Sequence, residues 1–188
     1  SVNKTGAEPV IHASFDKGTV QDFKISPRDN YLITLQSVKT SNTIQDIHTD
    51  LPNSNAIISD QLMYRHWDTW EDEKSNHLFL YTIKDGKVNL KGKDILNGEP
   101  FDGILPPFGG LEGVSFSTDE EEVLYVSKKM TANQFAVSTN SDIYAYNILE
   151  GTTENWTVNY KGYDTHPSFS PTGDKLAWLS MERDGFES

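Results

Sequence analysis

The sequence predicts an all-β protein, read as part of a β-propeller built from four-stranded antiparallel blades. Three observations carry that reading: a hairpin phrase occurs three times, a second hairpin follows each of its first two copies, and helical periodicity is weak throughout. The composition agrees. Only 36% of the 188 residues are hydrophobic, yet 11% are aromatic, and flat rings pack well on pleated surfaces.

In chain order, Val10 to Phe15 reads as the last strand of a preceding blade, within residues 1–20. Residues 21–95 form the next predicted blade. It opens with the first copy of the phrase, Asp22-Phe23-Lys24-Ile25-Ser26-Pro27-Arg28-Asp29-Asn30-Tyr31-Leu32-Ile33. A polar, turn-rich insertion over 39–76 follows, in which Thr43 to His48 and Asp68 to Lys74 could each hold a helical turn. The blade closes with a hairpin from His77 to Leu90 around Asp85-Gly86.

Residues 111–160 repeat the plan. The second copy is Val114-Ser115-Phe116-Ser117-Thr118-Asp119-Glu120-Glu121-Glu122-Val123-Leu124-Tyr125, and a hairpin around Glu150-Gly151 follows. Residues 164–188 begin a further blade with the third copy, Ser168-Phe169-Ser170-Pro171-Thr172-Gly173-Asp174-Lys175-Leu176-Ala177-Trp178. Each copy is an apolar strand ending in Ser, a turn rich in Pro, Asp, Thr and Gly, and a second apolar strand. The chain is therefore expected to begin and end inside a propeller, with two whole blades between two partial ones.

The charge balance excludes some partners. Sixteen Lys and Arg against 28 Asp and Glu give a formal net charge of −12. That disfavours nucleic acid and anionic membrane surfaces. No apolar run approaches the ~20 residues of a membrane helix, so no membrane insertion is expected. With no cysteine and no metal-ligand spacing among the five histidines, neither a metal nor another cofactor is expected. The run Asp119-Glu120-Glu121-Glu122 lacks the alternating ligands of a calcium loop and reads as a solvated turn.

Several segments resemble a known family. They are Leu62-Met63-Tyr64-Arg65-His66-Trp67-Asp68-Thr69-Trp70 with His77-Leu78-Phe79, then Ser138-Thr139-Asn140-Ser141-Asp142-Ile143-Tyr144, then Phe169 to Ala177 with Ser180 to Glu187 behind it. Together they resemble bacterial dipeptidyl-peptidase and acylaminoacyl-peptidase-like members of the prolyl oligopeptidase family. The Ser-Pro hairpin is shared with periplasmic translocation propellers and WD40-like domains, whereas the Tyr-Arg-His-Trp-Asp segment is much more specific. The resemblance covers roughly residues 20 to 188. It implies an N-terminal propeller capping a C-terminal α/β-hydrolase domain, whose catalytic Ser sits on a Gly-x-Ser-x-Gly elbow.

No such elbow occurs in this chain. The expected role is thus a non-catalytic propeller region that gates short peptides, in a periplasmic or otherwise exported protein, with the cytoplasm left open. The alternative is a periplasmic propeller scaffold that binds partner proteins without enzymatic activity.

Under the resemblance, Arg65, His66 and Asp68 are candidates for the substrate path, since Arg can pair with a peptide carboxylate and Asp with an α-amine. A plainer reading packs Trp67 and Trp70 between blades while Arg65 and Asp68 satisfy buried polar groups. Glu182, Asp184 and Glu187 form an acidic loop beyond the last strand. The family holds the peptide amine with acidic side chains from the propeller side; a solvated face is the alternative. Phe116, Phe169 and Trp178 are expected in the core.

Overall fold

The structure, a computed structural model, describes residues 11–59, 62, 64–66, 68–106 and 109–185. It is mostly β, with antiparallel sheets. The first sheet contains β1 (Asp22–Ile25), β2 (Tyr31–Lys39), β5 (Lys74–Lys84), β6 (Lys87–Val88) and β7 (Lys93–Asp94). Between β2 and β5 lie helix α1 (Ile44–Ile47) and a small hairpin of β3 (Arg65–His66) with β4 (Thr69–Trp70). The second sheet has the order β11-β10-β9-β8, from β8 (Ser115–Phe116), β9 (Glu122–Ser127), β10 (Asp142–Asn147) and β11 (Thr153–Asn155). Helix α2 (Ala132–Val137) sits between β9 and β10. A third unit pairs β12 (Asp164–Phe169) with β13 (Leu176–Ser180), and a parallel bridge from Ser141 to Tyr163 ties it to the second sheet.

Period-2 alternation decides the packing. In β9 and β10, Val123, Tyr125, Tyr144 and Tyr146 face the first sheet and meet Ile33, Leu35, Leu78 and Leu80. The intervening Leu124, Val126, Ile143 and Ala145 face the third unit and meet Phe169, Leu176 and Trp178. The second sheet is therefore covered on both faces, which is why β9 reads as a nearly unbroken apolar run. Phe116 joins the first core, as expected for a core residue.

The three copies of the sequence phrase fold into the same turn. The serine hydroxyl accepts from the N–H five residues on: Ser26 from Tyr31 at 2.9 Å, Ser117 from Glu122 at 2.9 Å, Ser170 from Lys175 at 3.1 Å. The N–H three residues on donates to the serine carbonyl, from Asp29 (3.1 Å), Glu120 (3.1 Å) and Gly173 (2.9 Å). Each of those three residues has positive φ, at 60, 65 and 78°. Serine is thus fixed by its hydroxyl, and the fourth position by the left-handed backbone that Asn, Asp and Gly tolerate best.

Other expectations fare unevenly. Thr43 caps α1 with a reciprocal capping box to Asp46, as a helical turn over 43–48 requires. Residues 68–74 form β4 and the entry to β5 rather than a helical turn, because pairing with β3 and β2 takes up their backbone. Residues 11–15 carry no strand; His12 O accepts from Val88 N–H at 3.3 Å, and Val10 lies outside the described residues.

Glu120 is not the solvated turn residue its neighbours predict. It is 5% exposed, and it reaches into the first hairpin turn. One carboxylate oxygen accepts from Arg28 N–H at 2.6 Å and the other from the Asn30 amide at 2.7 Å. Burial pushes the Glu120 carboxyl up, but hydrogen bonds from Ser26, Arg28 and Asn30 and the Arg28 charge outweigh it and hold it below its ordinary value.

Two outcomes follow for stability. Ile143→Ala empties a site packed from both strands and third unit, and should cost ~2–5 kcal/mol by denaturant titration. A depressed acid stabilises the fold above its unfolded pKa and loses that contribution as pH falls through the folded one. The Glu120 contribution is therefore complete at neutral pH and fades below about 4.5. Glu120→Gln should lower Tm at pH 7 and converge on the wild type in acid. Parallel Tm-against-pH curves would refute the clasp.

Candidate functional site

The two long connections, 40–73 after β2 and 128–141 after β9, leave their sheets at the same end, opposite the three serine turns. Each carries a short helix, and between them lies a cleft of about 650 Å³. Its walls mix apolar side chains, among them Ile44, Ile57, Phe101, Ile104 and Phe135, with polar ones such as Asn42, Gln45 and Asn55. Its charged lining is mainly acidic: Glu71, Asp72, Glu73 and Asp102 against Lys74 and Lys128. The Lys128 ammonium is already engaged, 4.5 Å from the Phe135 ring centroid and bonded to the Ser138 carbonyl.

Local chemistry places the two acids that matter most. Glu71 follows β4, where its N–H donates to Tyr64 O at 3.1 Å. Asp102 is held by Asn76 N–H at 2.7 Å, and Gly103 behind it approaches so closely that an added Cβ would lie 2.9 Å from Leu78 Cγ. Burial pushes both carboxyls above their ordinary values. The Asp102 charge raises Glu71 further, while His66 opposes that shift. For Asp102, the Asn76 hydrogen bonds only partly offset the burial. Both carboxylates are partly desolvated, and the Asp102 charge adds to the cost of ionising Glu71. Among the described residues no group of His, Asp and Glu could hold a metal ion.

The sequence candidates divide as follows. Arg65 and His66 form β3, and the Arg65 guanidinium lies 5.8 Å from the Trp70 ring centroid. Arg65 and Asp68 are both exposed, so they are not a buried ion pair. Trp70, expected as a packed ring, is instead 56% exposed and stacks on Tyr64 at 6.0 Å; a two-strand hairpin has no second layer to bury it. Trp67 and Glu187 lie outside the described residues. Glu182 and Asp184 are exposed beyond β13. There Asp184 accepts from Ser138 Oγ at 3.4 Å and Gly185 N–H reaches Thr139, so this loop joins the α2 side of the same end. Phe169 and Trp178 pack on the second core, and the Trp178 indole donates to the buried Asp164 at 3.1 Å. Glu71 and Asp102 escaped the sequence reading. Glu71 adjoins the quoted Trp70, and Asp102 sits in Pro100-Phe101-Asp102-Gly103, but only the fold joins them.

This is an antiparallel-β protein whose stacked sheets carry loops that border an open cleft of mixed polar and apolar lining with mainly acidic charge. No family model matches the chain. Its sequence is 41% identical to dipeptidyl-peptidase 5 of Porphyromonas gingivalis over 171 residues, 91% of this chain and 25% of that relative. It is 37% identical to dipeptidyl-peptidase 5 of Porphyromonas endodontalis over 91% of the chain, and 26% identical to that of Schizosaccharomyces pombe over 90%. The chain spans about a quarter of the length of these relatives. It is homologous to a portion of dipeptidyl-peptidase 5, a peptidase of the prolyl oligopeptidase family.

An acid whose folded pKa is raised costs stability as pH climbs past its unfolded value, so the Asp102 penalty is present at pH 7 and absent below about 3.8. Asp102→Asn keeps an acceptor for Asn76 N–H. It should melt above the wild type at pH 7 and with it in acid. Identical Tm values at pH 7 would show that Asp102 is well solvated.

Proposed function

We propose that this chain is a non-catalytic β-propeller region of a serine exopeptidase, and that it gates short peptides on their way to a C-terminal α/β-hydrolase domain. The observation that carries the reading is homology to dipeptidyl-peptidase 5 over nine tenths of the chain. The fold supports it in two ways. Three antiparallel units stack face to face with equivalent turns at one end, which is how successive blades pack. The connecting loops gather at the other end and line the cleft, a place where an extended peptide could be met.

On this reading the cleft end faces the peptide path, in an exported protein. Glu71 and Asp102 are the groups best placed to meet a peptide ammonium, because both line the cleft and burial of each is only partly offset. Arg65, on the neighbouring hairpin, lies over the Trp70 ring. Glu182 and Asp184 flank the α2 side at the rim.

The test uses the full-length gene product. It should hydrolyse dipeptide anilides, and the double variant Glu71→Gln, Asp102→Asn should raise KM about tenfold or more with a smaller change in kcat. The same variant should discriminate less between free and N-acetylated peptides. Unchanged KM and discrimination would remove the cleft from the peptide path. A full-length product with no peptidase activity would sink the enzyme reading itself.

A further inference from the structure

The serine turns share their hydrogen bonds, and two of them also share a direction of contact. The fourth residue of each turn has left-handed backbone: Asp29, Glu120 and Gly173. Glu120 inserts into the preceding turn, where Arg28 N–H, the Asn30 amide and Ser26 receive its carboxylate. Gly173 faces the preceding turn at such close range that an added Cβ would stand 2.1 Å from Thr118 Oγ1. The later turn thus meets the earlier one through the same backbone position both times. What differs is the side chain, and with it the spacing: glutamate spans a wider gap, while glycine allows the closest approach.

Asp29 holds the equivalent place in the first turn, at φ 60° and exposed. An aspartate is strained there relative to glycine, and its carboxylate gains neither the burial nor the hydrogen bonds that repay Glu120 for the same conformation. We propose that Asp29 is a docking tooth for another hairpin turn of the same kind, one that offers a backbone N–H and a serine hydroxyl to its carboxylate. This rests on the propeller reading, under which the occupant is a turn from a further blade of the same gene product. The relatives, of which this chain spans a quarter, have length for such turns. Aspartate is one methylene shorter than glutamate, so the partner turn lies nearer than the first turn lies to Glu120.

The experiment is Asp29→Gly in the full-length gene product, because docking and strain relief have opposite signs. Glycine relieves the left-handed backbone and raises Tm when the carboxylate has no partner. When the carboxylate is docked, its loss dominates and the propeller's apparent Tm falls, by roughly 2–4 °C. Asp29→Asn, which keeps an acceptor oxygen, should lose less than Asp29→Gly. A Tm that rises or stays put in Asp29→Gly overturns the proposal. Electron microscopy of the wild-type protein separates this from the underlying reading. Particles without a ring of blades refute both, whereas a ring combined with a neutral or stabilising Asp29→Gly refutes the tooth alone.

Discussion

An antiparallel sheet with apolar residues on both faces must be covered on both, and the second sheet of this protein imposes that constraint on everything around it. Val123, Tyr125, Tyr144 and Tyr146 point one way, and Leu124, Val126, Ile143 and Ala145 the other. Neither set can be left in water without exposing a large apolar surface. The first sheet and the β12–β13 hairpin are therefore obligatory neighbours, and their separation is set by the rings between them. The tyrosine rings draw cations to that layer: Lys129 lies 4.2 Å from the Tyr144 ring centroid, donates to the Tyr125 hydroxyl at 3.0 Å and lies 2.5 Å from Glu99, and Lys93 lies 5.3 Å from the Tyr146 ring centroid. Burial pushes the Tyr125 and Tyr144 hydroxyls far up, so they serve as neutral spacers.

Stacking of this kind fixes distance between sheets but leaves them free to slide, since apolar contact has little direction. The turns supply the missing direction. Glu120 bonds to two donors of the first turn, and Gly173 seats the third turn against Thr118. One end of the molecule is thereby locked by short loops with fixed hydrogen bonds. At the other end the long connections emerge, and there the cleft forms. Loops at a rigid end carry stability, and loops at the opposite end are available for binding.

Much of this was legible in the sequence because the relevant chemistry is local. Ser26, Ser117 and Ser170 announce themselves by a hydroxyl that bonds within five residues, and Asp85-Gly86, with φ of 51 and 70°, closes its hairpin as the dipeptide implies. Thr43 and Asp46 reveal α1 by their spacing. Helix α2 carries no side-chain cap at Thr131, and so left no such mark. Glu120 departs from the solvated turn its sequence implies because its partners lie some ninety residues away, and a carboxylate in an acidic run gives no sign that only one member is buried. Trp70 departs from expectation for the opposite reason. An aromatic residue usually signals burial, but a ring on a two-strand hairpin with no facing layer remains at the surface. The acids of the cleft were invisible since Glu71 and Asp102 meet only after β5 and the loop beyond β7 are in place.

The fold distributes its negative charge unevenly. Glu120 and Asp102 are both removed from much of the solvent, yet their carboxyls move in opposite directions. Three donors and the Arg28 charge converge on Glu120, so ionisation is favoured and the residue holds two sheets in register. Asp102 has hydrogen bonds from Asn76, too little to offset burial, and a second acid, Glu71, nearby. Its ionised form is costly, and that cost persists unless something positive arrives. A chain with a net charge of −12 has carboxylates to spare for solubility at its surface. Those it draws inward are the informative ones: Glu120 marks where the structure is fastened, and Asp102, with donors too few to offset its burial, lines the open cleft beside Glu71.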